Sequence, residues 1–330
     1  MLALRTRGLG KTFRVKKKEP GLSGSFRSLW KPYWETKEAV RGIDLSVREG
    51  ETVAFLGPNG AGKSTTIKML TGILHPSFGE AEVLGLTPWK ERERLAYRIG
   101  AVFGQKSQLW YHLPPIDTFE LISRIYELKR DEYARRKDEL IERFELGPYL
   151  HTPVRKLSLG ERMRCEIAAS FLHGPRLLFM DEPTIGLDAV VKQRIRELIR
   201  ERNREEGTTV FLTSHDAGDV ETLCSRAVVI HHGGVIVDEP VERMKREVLS
   251  RKIVTLKLKE DARRASLPDI AGARWETEEG CRLSVDLKRT TIERVLGELI
   301  GRVGFTDVNV EDPPLEEIIK HIYGMKKEAD

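Results

Sequence analysis

The segment 57–65, GPNGAGKST, constrains the fold of this chain more than any other feature. It matches the pattern G-x-x-x-x-G-K-[ST], in which a loop between a strand and a helix surrounds phosphate groups with backbone N–H groups. Glycine permits the close backbone approach that a side chain would block. The segment 51–56 before the loop, apolar from Val53 onwards, predicts the strand, and residues 65–71 predict the helix. We therefore expect a phosphate-binding loop within an α/β sheet.

The side chains of this loop suit ATP and Mg²⁺ as cofactors. Lys63 can reach the β and γ phosphates as a mobile point charge, and Ser64 can place its hydroxyl on the metal. The following helix directs its positive end at the anion. A glycine-rich turn with a chance lysine is the alternative, but it would not need the strand and helix on either side. The predicted ATP-binding residues of the loop are Gly57, Pro58, Asn59, Gly60, Ala61, Gly62, Lys63, Ser64 and Thr65.

Two later strand ends carry the residue types that phosphoanhydride hydrolysis needs, namely a metal ligand, a group that positions water and groups that stabilise charge. The buried-strand pattern 177–180 is followed by Asp181, which can hold Mg²⁺ directly or through water, and by Glu182, which can act as general base. His215 follows the strand pattern 210–213 and can hydrogen-bond the γ phosphate. Alternatively, the two carboxylates cap a strand and the histidine is an ordinary surface or core residue.

Strand and helix patterns alternate over residues 1–240 and predict a mainly parallel α/β core. Short strands are expected at 2–13 and 40–56, and a helical lobe beside the sheet at about 106–172. Residues 241–330 change character and predict a small α+β domain. Its expected elements are a strand at 253–258, a hairpin at 274–287, a helix at 291–303, a strand at 308–310 and a terminal helix at 315–323.

The composition bounds the protein class. A length of 330 residues suggests about two domains. No apolar run approaches the roughly 20 residues that a bilayer crossing needs, and the N-terminus lacks the pattern of a signal peptide. We therefore expect a cytosolic chain without a membrane span. Its cysteines lack metal-like or redox-like spacing and are expected to be buried thiols; they are Cys165, Cys224 and Cys281.

A basic insertion interrupts the first strand pair at about 16–38. It opens with Lys16, Lys17 and Lys18, and aromatic residues such as Trp30 and Trp34 are interleaved with its charges. A solvated loop and a segment that docks on a protein or membrane surface are both compatible with this pattern.

Together, these motifs resemble the ATP-binding cassette (ABC) transporter ATPases over residues 1–240. The resemblance identifies Gln105 as the Q-loop glutamine, 157–161 as the signature sequence, Asp188 as part of the D-loop and His215 as the switch histidine. It implies a P-loop ABC ATPase core with a helical subdomain, and a dimer with a second copy of the chain around two ATP molecules. Residues so implied for catalysis are Glu182, His215, Gln105 and Lys63, and those for the metal are Ser64, Gln105 and Asp181. Ser158 and Gly160 would contact the ATP of the opposite cassette, and Glu161 and Asp188 are further ATP-binding residues.

The chain departs from the family pattern at two places. The signature reads Leu-Ser-Leu-Gly-Glu where the family often has L-S-G-G-Q. Ser158 and Gly160 remain at a helix N-terminus, so we expect activity to be retained. The family stacks adenine on an aromatic side chain, and Phe13 occupies that place; Tyr33 or Trp34 could substitute, and Phe13 could instead be a core residue.

Within the family, the run 102–110, the basic insertion and the ending 313–319 resemble the cassettes of ABC-2 type exporters. This implies a location peripheral on the cytoplasmic side of the cell membrane and a separate membrane permease as partner, which would dock at about 106–115, where Trp110 and Tyr111 lie. A plain surface loop is the alternative for that segment. The alternative function is a soluble ABC-type ATPase without transport, although no nucleic-acid partner is expected. For 241–330 we expect a dimer-contact or stability role rather than ligand-binding regulation.

Overall fold

The computed structural model describes residues 1–17, 33–104, 107–214, 216–248, 251–258, 268–276, 282–300 and 302–311. The chain divides into two compact units, Met1–Glu239 and Pro240–Asp330. None of the helices within these described stretches combines the length and the apolar character that a membrane crossing requires.

The first unit contains a six-stranded sheet with the order β5-β6-β7-β3-β8-β9. Its first five strands in that order run parallel, as predicted. The carboxyl ends of these parallel strands lie along one edge of the sheet, which is where ligands of such folds bind. The strands are β3 (Thr52–Leu56), β5 (Ile99–Phe103), β6 (Leu177–Asp181), β7 (Thr209–Thr213), β8 (Arg226–His231) and β9 (Gly234–Pro240).

A second, antiparallel sheet has the order β2-β1-β4, formed by β1 (Leu2–Lys17), β2 (Tyr33–Arg48) and β4 (Phe78–Val83). Apolar side chains of both sheets and of helix α1 (Lys63–Leu70) form one buried cluster. Phe55, Phe179 and Phe211 from the parallel sheet are fully buried there. This core fixes the phosphate loop, because the loop joins β3 directly to α1.

Strands occur in both predicted segments, 2–13 and 40–56, but the prediction that they are short is wrong for β1 and β2. β1 and β2 are each 16 residues long and pair as far as Lys17 with Tyr33. The ladder therefore continues into the predicted basic insertion, since pairing satisfies the backbone groups on both sides. At the other end, Gly50 with a φ of +74° turns the chain between β2 and β3. The remainder of the insertion, 18–32, lies outside the described residues.

Helices flank the parallel sheet, and several of them form the lobe predicted at about 106–172. Glu127, with a φ of +53°, separates α3 from α4. Cys165 and Cys224 are buried as predicted, whereas Cys281 lies outside the described residues. The helices are α2 (Arg92–Ala96), α3 (Pro115–Ile125), α4 (Arg130–Arg143), α5 (Leu159–Phe171), α6 (Ala189–Glu206) and α7 (Ala217–Leu223), with short 3₁₀ turns at Gly147–Tyr149 and Val154–Lys156.

The second unit is an α+β fold, as predicted. Its antiparallel sheet has the order β11-β12-β10-β13, and helix α9 packs its Val295 and Leu299 into a buried cluster with apolar strand residues. The predicted terminal helix at 315–323 lies outside the described residues. The elements are α8 (Val241–Val248), β10 (Arg251–Leu258), β11 (Ala273–Trp275), β12 (Arg282–Asp286), α9 (Ile292–Ile300) and β13 (Phe305–Glu311).

Candidate nucleotide-binding and hydrolysis site

The loop 57–62 turns from β3 into α1 in a conformation that depends on glycine. Gly62 has a φ of +108°, and a Cβ there would lie 2.4 Å from the carbonyl oxygen of Ala39. A Cβ on Gly57 would lie 2.7 Å from the carbonyl oxygen of Ile230. The backbone N–H of Thr66 donates to the Gly62 carbonyl at 2.9 Å and starts the helix. The loop thus packs between β2 and β8, and its residues Asn59 and Gly60 are exposed.

The side chain of Lys63 points back into this loop. Its Nζ donates to the carbonyl oxygen of Gly57 at 2.6 Å and lies 4.0 Å from Oε1 of Glu182. Burial lowers the pKa of Lys63, and the negative charges of Glu182 and Asp181 oppose that shift. The ammonium group therefore lies between the loop backbone and the carboxylates that follow β6.

Those carboxylates occupy a tightly constrained strand end. Oδ1 of Asp181 accepts a hydrogen bond from Oγ1 of Thr213 at 2.5 Å, and the backbone N–H of Glu182 donates to the Thr213 carbonyl at 3.0 Å. Glu182 has a φ of +59°, a left-handed conformation that is uncommon for a residue with a side chain. A Cβ on Gly104 would lie 2.3 Å from the Glu182 carbonyl oxygen. Glycine at 104 thus permits the close approach of β5 and β6 at this point.

Two predicted site residues, Gln105 and His215, lie outside the described residues. The residues that precede them are placed at the same sheet edge as Asp181. The N–H of Gly104 donates to the Asp181 carbonyl at 2.9 Å, and Ser214 is buried directly after β7. The roles of Gln105 and His215 stay predictions.

The signature residues form the N-terminus of α5. Oγ of Ser158 accepts a hydrogen bond from the N–H of Glu161 at 3.3 Å, and Oε2 of Glu161 accepts one from the N–H of Ser158 at 2.8 Å. This reciprocal pair is a capping box. Glu161, at the last signature position, therefore has a structural role, because its carboxylate stabilises the first turn of α5.

Gly160 of α5 and Asp188 before α6 both contact Val191 of α6. A Cβ on Gly160 would lie 3.0 Å from Cγ1 of Val191. Asp188 caps α6 through a hydrogen bond from the N–H of Val191 to its Oδ1, at 3.0 Å. Close packing explains the glycine, and capping explains the aspartate. Their contacts with a nucleotide stay predictions.

Phe13 lies on β1 and is 36% exposed, so it is not a core residue. The Nζ of Lys11 lies 5.3 Å from the centre of its ring. Phe13 pairs with Lys37 across the hairpin, and Trp34 lies three residues from Lys37 along β2. Since side chains alternate along a strand, Trp34 projects from the opposite face to Phe13. Phe13 is therefore a better candidate than Trp34 for stacking on adenine.

An open pocket of about 510 Å³ extends from the hairpin to the phosphate loop. It includes Gly60 of the loop, so a nucleotide held there could extend towards β1 and β2. The lining residues are Val15, Glu35, Thr36, Lys37, Glu38, Arg41, Gly60 and His232.

The described part of the predicted docking segment, 107–115, exposes Trp110 and Tyr111 at 52% and 56%. The backbone behind them is fixed. The carbonyl of Tyr111 accepts a hydrogen bond from the N–H of Arg155 at 2.9 Å, and both carboxylate oxygens of Glu166 lie 3.0 Å from the N–H of Gln108. The two rings thus project from a rigid support.

Sequence reasoning missed Glu166. Its carboxylate is buried on α5 and also accepts a hydrogen bond from the hydroxyl of Ser107. Burial raises the pKa of Glu166, and the hydrogen bonds from Ser107 and Gln108 oppose the shift. The available signal was a charged residue within the apolar stretch 165–169, which predicts a buried partner.

Comparison with known proteins is consistent with this site. Residues 40–185 match the family described as ABC transporter. The chain is 30% identical over 295 residues to the linearmycin resistance ATP-binding protein LnrL of Bacillus subtilis (strain 168), covering 87% of this chain and 94% of the relative. It is 32% identical over 297 residues to the daunorubicin resistance ATP-binding protein DrrA3 of Streptomyces coeruleorubidus, covering 87% and 92%.

Among solved structures, the chain is similar to the dimeric structure of a post-hydrolysis state of the ATP-binding cassette MJ0796 bound to ADP and Pi. The TM-score is 0.60 at 25% identity, and the match covers 72% of this chain and 98% of the other.

Proposed function

The chain belongs to the ABC transporter family of ATP-binding proteins, and on this premise we propose that it drives export through a separate membrane subunit of the ABC-2 type. The chain binds ATP and is an ATPase. The proposal concerns how its residues divide that reaction, how two copies complete the site, and what the reaction powers.

The proposed mechanism rests on one observation. Nζ of Lys63 lies 4.0 Å from Oε1 of Glu182 at the phosphate loop. In this arrangement Lys63 neutralises the β and γ phosphates, while Glu182 accepts a proton from the attacking water. A positioned general base contributes about 10²- to 10⁴-fold to a rate. The predicted contribution of His215 is a hydrogen bond to the γ phosphate.

The residues near Lys63 also suit Mg²⁺, which prefers oxygen ligands. The hydroxyl of Ser64 is exposed at the start of α1, and Asp181 has one oxygen held by Thr213. We infer that Ser64 and Asp181, with Gln105, hold the metal. When bound, the metal offsets negative charge on the β and γ phosphate oxygens.

We infer that the signature residues act on ATP held by a second copy. Around Ser158, Gly160, Glu161 and Asp188, the chain exposes apolar side chains that a partner surface would cover. Leu159 is 37% exposed, Ile185 42% and Val190 80%. Apolar patches of this kind mark association surfaces. Head-to-tail pairing through this face would give each of two ATP molecules a loop from one copy and a signature from the other.

The membrane partner is inferred from the aromatic pair Trp110 and Tyr111, which are exposed on a backbone held by Glu166 and Arg155. Aromatic side chains are enriched at protein interfaces. The relatives LnrL and DrrA3 are named for resistance to linearmycin and daunorubicin, which favours export of a compound from the cell. The alternative, a soluble ATPase without transport, gives these exposed rings no purpose.

Purification of the tagged Glu182→Gln chain from membranes of its native host, with ATP and Mg²⁺, tests this function. We expect a polytopic membrane protein to copurify in stoichiometric amount. In the same background, Trp110→Ala with Tyr111→Ala should release that protein. Phe78→Ala, which removes a ring 46% exposed on β4, serves as the matched control and should retain it. Recovery only in the soluble fraction would support the ATPase without transport.

A further inference from the structure

A buried carboxylate beside the site, that of Asp219 on α7, joins groups from three parts of the chain. Its Oδ2 accepts hydrogen bonds from Oγ1 of Thr184 at 2.5 Å and from Oγ of Ser214 at 2.6 Å. Its Oδ1 accepts one from Nε of Arg196 at 2.7 Å. Asp219 is 0% exposed. Burial of a charge is costly unless the charge is paired and hydrogen-bonded, and Arg196 with the two hydroxyls meets that requirement.

The two hydroxyl partners of Asp219 flank the candidate catalytic carboxylate. Thr184 is two residues after Glu182 in the loop between β6 and α6. Ser214 follows Thr213, the residue whose carbonyl accepts the N–H of Glu182 and whose hydroxyl donates to Asp181. Asp219 therefore links the loop that leaves Glu182 to the strand end that holds Glu182 from the other side.

The backbone of Glu182 needs such constraints. A residue with a side chain at a φ of +59° retains a left-handed conformation only where the surrounding structure enforces it. The hydrogen bond to Thr213 fixes the amide of Glu182. The bond from Thr184 to Asp219 fixes the segment after it, and so limits the rotation by which the loop could relax.

Helix α6 supplies Arg196 to Asp219, and it binds the neighbouring carboxylate of Asp216 through two cations. Nη2 of Arg196 donates to Oδ1 of Asp216 at 2.8 Å, and Nζ of Lys192 donates to Oδ2 of Asp216 at 2.6 Å. Burial raises the pKa of Asp216, but the hydrogen bond from Lys192 and the charge of Arg196 outweigh it and lower the pKa overall. Two carboxylates and two cations thus form one connected network.

We propose that Asp219 is a positioning residue for ATP hydrolysis, which holds Thr184 and Ser214 so that the Glu182 carboxylate keeps its orientation towards the attacking water. Asp219 acts through these neighbours and does not touch ATP. The inference rests on the proposed role of Glu182 as general base. Loss of the Asp219 charge would free the Thr184 hydroxyl and leave Arg196 buried without its nearest anion.

The test measures kcat and, separately, equilibrium ATP binding for the full chain with Mg²⁺. For Asp219→Asn and for Thr184→Val we expect kcat to fall about 10- to 100-fold, the scale of a small misplacement of a catalytic group. The Kd for ATP should stay within about twofold, because the lost interactions act on the transition state rather than on binding. Each assay is run well below the unfolding temperature of the variant.

Arg202 provides the matched control. It lies on the same helix as Arg196, is 3% exposed, and pairs with Glu139 at 3.1 Å and with Glu206. Arg196→Gln and Arg202→Gln should both lower the unfolding temperature, but only Arg196→Gln should lower kcat. Equal losses of kcat in the two variants would overturn the proposal, since they would show a merely structural effect.

Parent values of kcat in both Asp219→Asn and Thr184→Val would also overturn it. If Asp219→Asn does not fold, Thr184→Val decides, because it deletes one hydroxyl and nearly keeps the side-chain shape. Glu182→Gln, assayed in parallel, distinguishes failure of the proposed function from failure of the positioning role of Asp219. Normal turnover in Glu182→Gln would refute the proposed function, whereas slow turnover there with normal turnover in Asp219→Asn and Thr184→Val would refute only the positioning role.

Discussion

The left-handed backbone of Glu182 predicts that glycine at this position gives a more stable protein than glutamine, while both replacements slow hydrolysis. A left-handed conformation costs a residue with a side chain about 1–2 kcal/mol, and glycine loses roughly 0.5–1 kcal/mol of additional backbone entropy on folding. The reference is Glu182→Gln, because both variants remove the carboxylate near Lys63. We expect Glu182→Gly to exceed Glu182→Gln in unfolding free energy by about 0.5–1 kcal/mol, the difference between these two costs.

Thermal unfolding without nucleotide measures this difference. One kcal/mol shifts the midpoint by about 2–4 °C in a domain of 150–250 residues, so Glu182→Gly should unfold about 1–4 °C above Glu182→Gln. Both variants should hydrolyse ATP about 10²- to 10⁴-fold more slowly than the parent.

Glu127 supplies the control for this prediction. It is an exposed glutamate with a φ of +53°, between α3 and α4. Glu127→Gly should gain stability over Glu127→Gln by a similar amount and leave kcat unchanged. A Glu182→Gly protein that unfolds below Glu182→Gln, while Glu127→Gly behaves as expected, would refute the claim that Glu182 is held in a strained conformation.

The remaining predictions concern the phosphate loop, the signature helix and a buried histidine. Lys63→Ala should lose ATP binding or turnover, and hydrolysis at the parent rate by the purified variant would refute the phosphate-loop assignment. Glu161→Ala should destabilise the fold by about 1 kcal/mol through loss of the capping box, whereas Glu161→Gln should not, as chemical denaturation would show. Burial lowers the pKa of His173 to about 4 from its usual 6.5. The unfolded chain therefore binds the proton more readily, and up to about 3 kcal/mol of stability should be lost between pH 6.5 and 4 in the parent but not in His173→Gln.

The sequence predicts the parts of this protein whose physics is local. Three motifs each occupy only a few residues: a glycine-rich loop, an apolar strand that ends in two carboxylates, and a serine at a helix start. The parallel α/β core follows from the alternation of strand and helix patterns along the chain. The same reasoning underestimated β1 and β2. The charges of Lys16 and Lys17 suggest a loop, but the backbone of both residues continues the ladder with β2. Charge alone therefore does not mark where a strand ends.

Long-range polar contacts could not be predicted from local patterns. Glu166 binds the backbone of Gln108, and Asp219 binds Thr184. In both cases the partners are far apart in the sequence, and neither residue belongs to a motif of fixed spacing. The positive φ of Glu182 was likewise missed, because glutamate has no preference for that conformation. The surrounding structure imposes it, through Thr213 on one side and the packing of Gly104 on the other.

Helix α6 explains why these contacts matter together. Its first turn carries Val191, whose methyl groups pack against Gly160 of the signature. One residue further along, Lys192 binds Asp216, and Arg196 one turn later binds both Asp216 and Asp219. The helix therefore touches the signature with one side chain and the start of α7 with two others. Asp219 of α7 in turn accepts the hydrogen bond from Thr184, two residues after Glu182. Because all three contacts belong to one helix, the signature turn and the segment that follows Glu182 are both tied to α6, although 157–161 and Glu182 are separate motifs in the sequence.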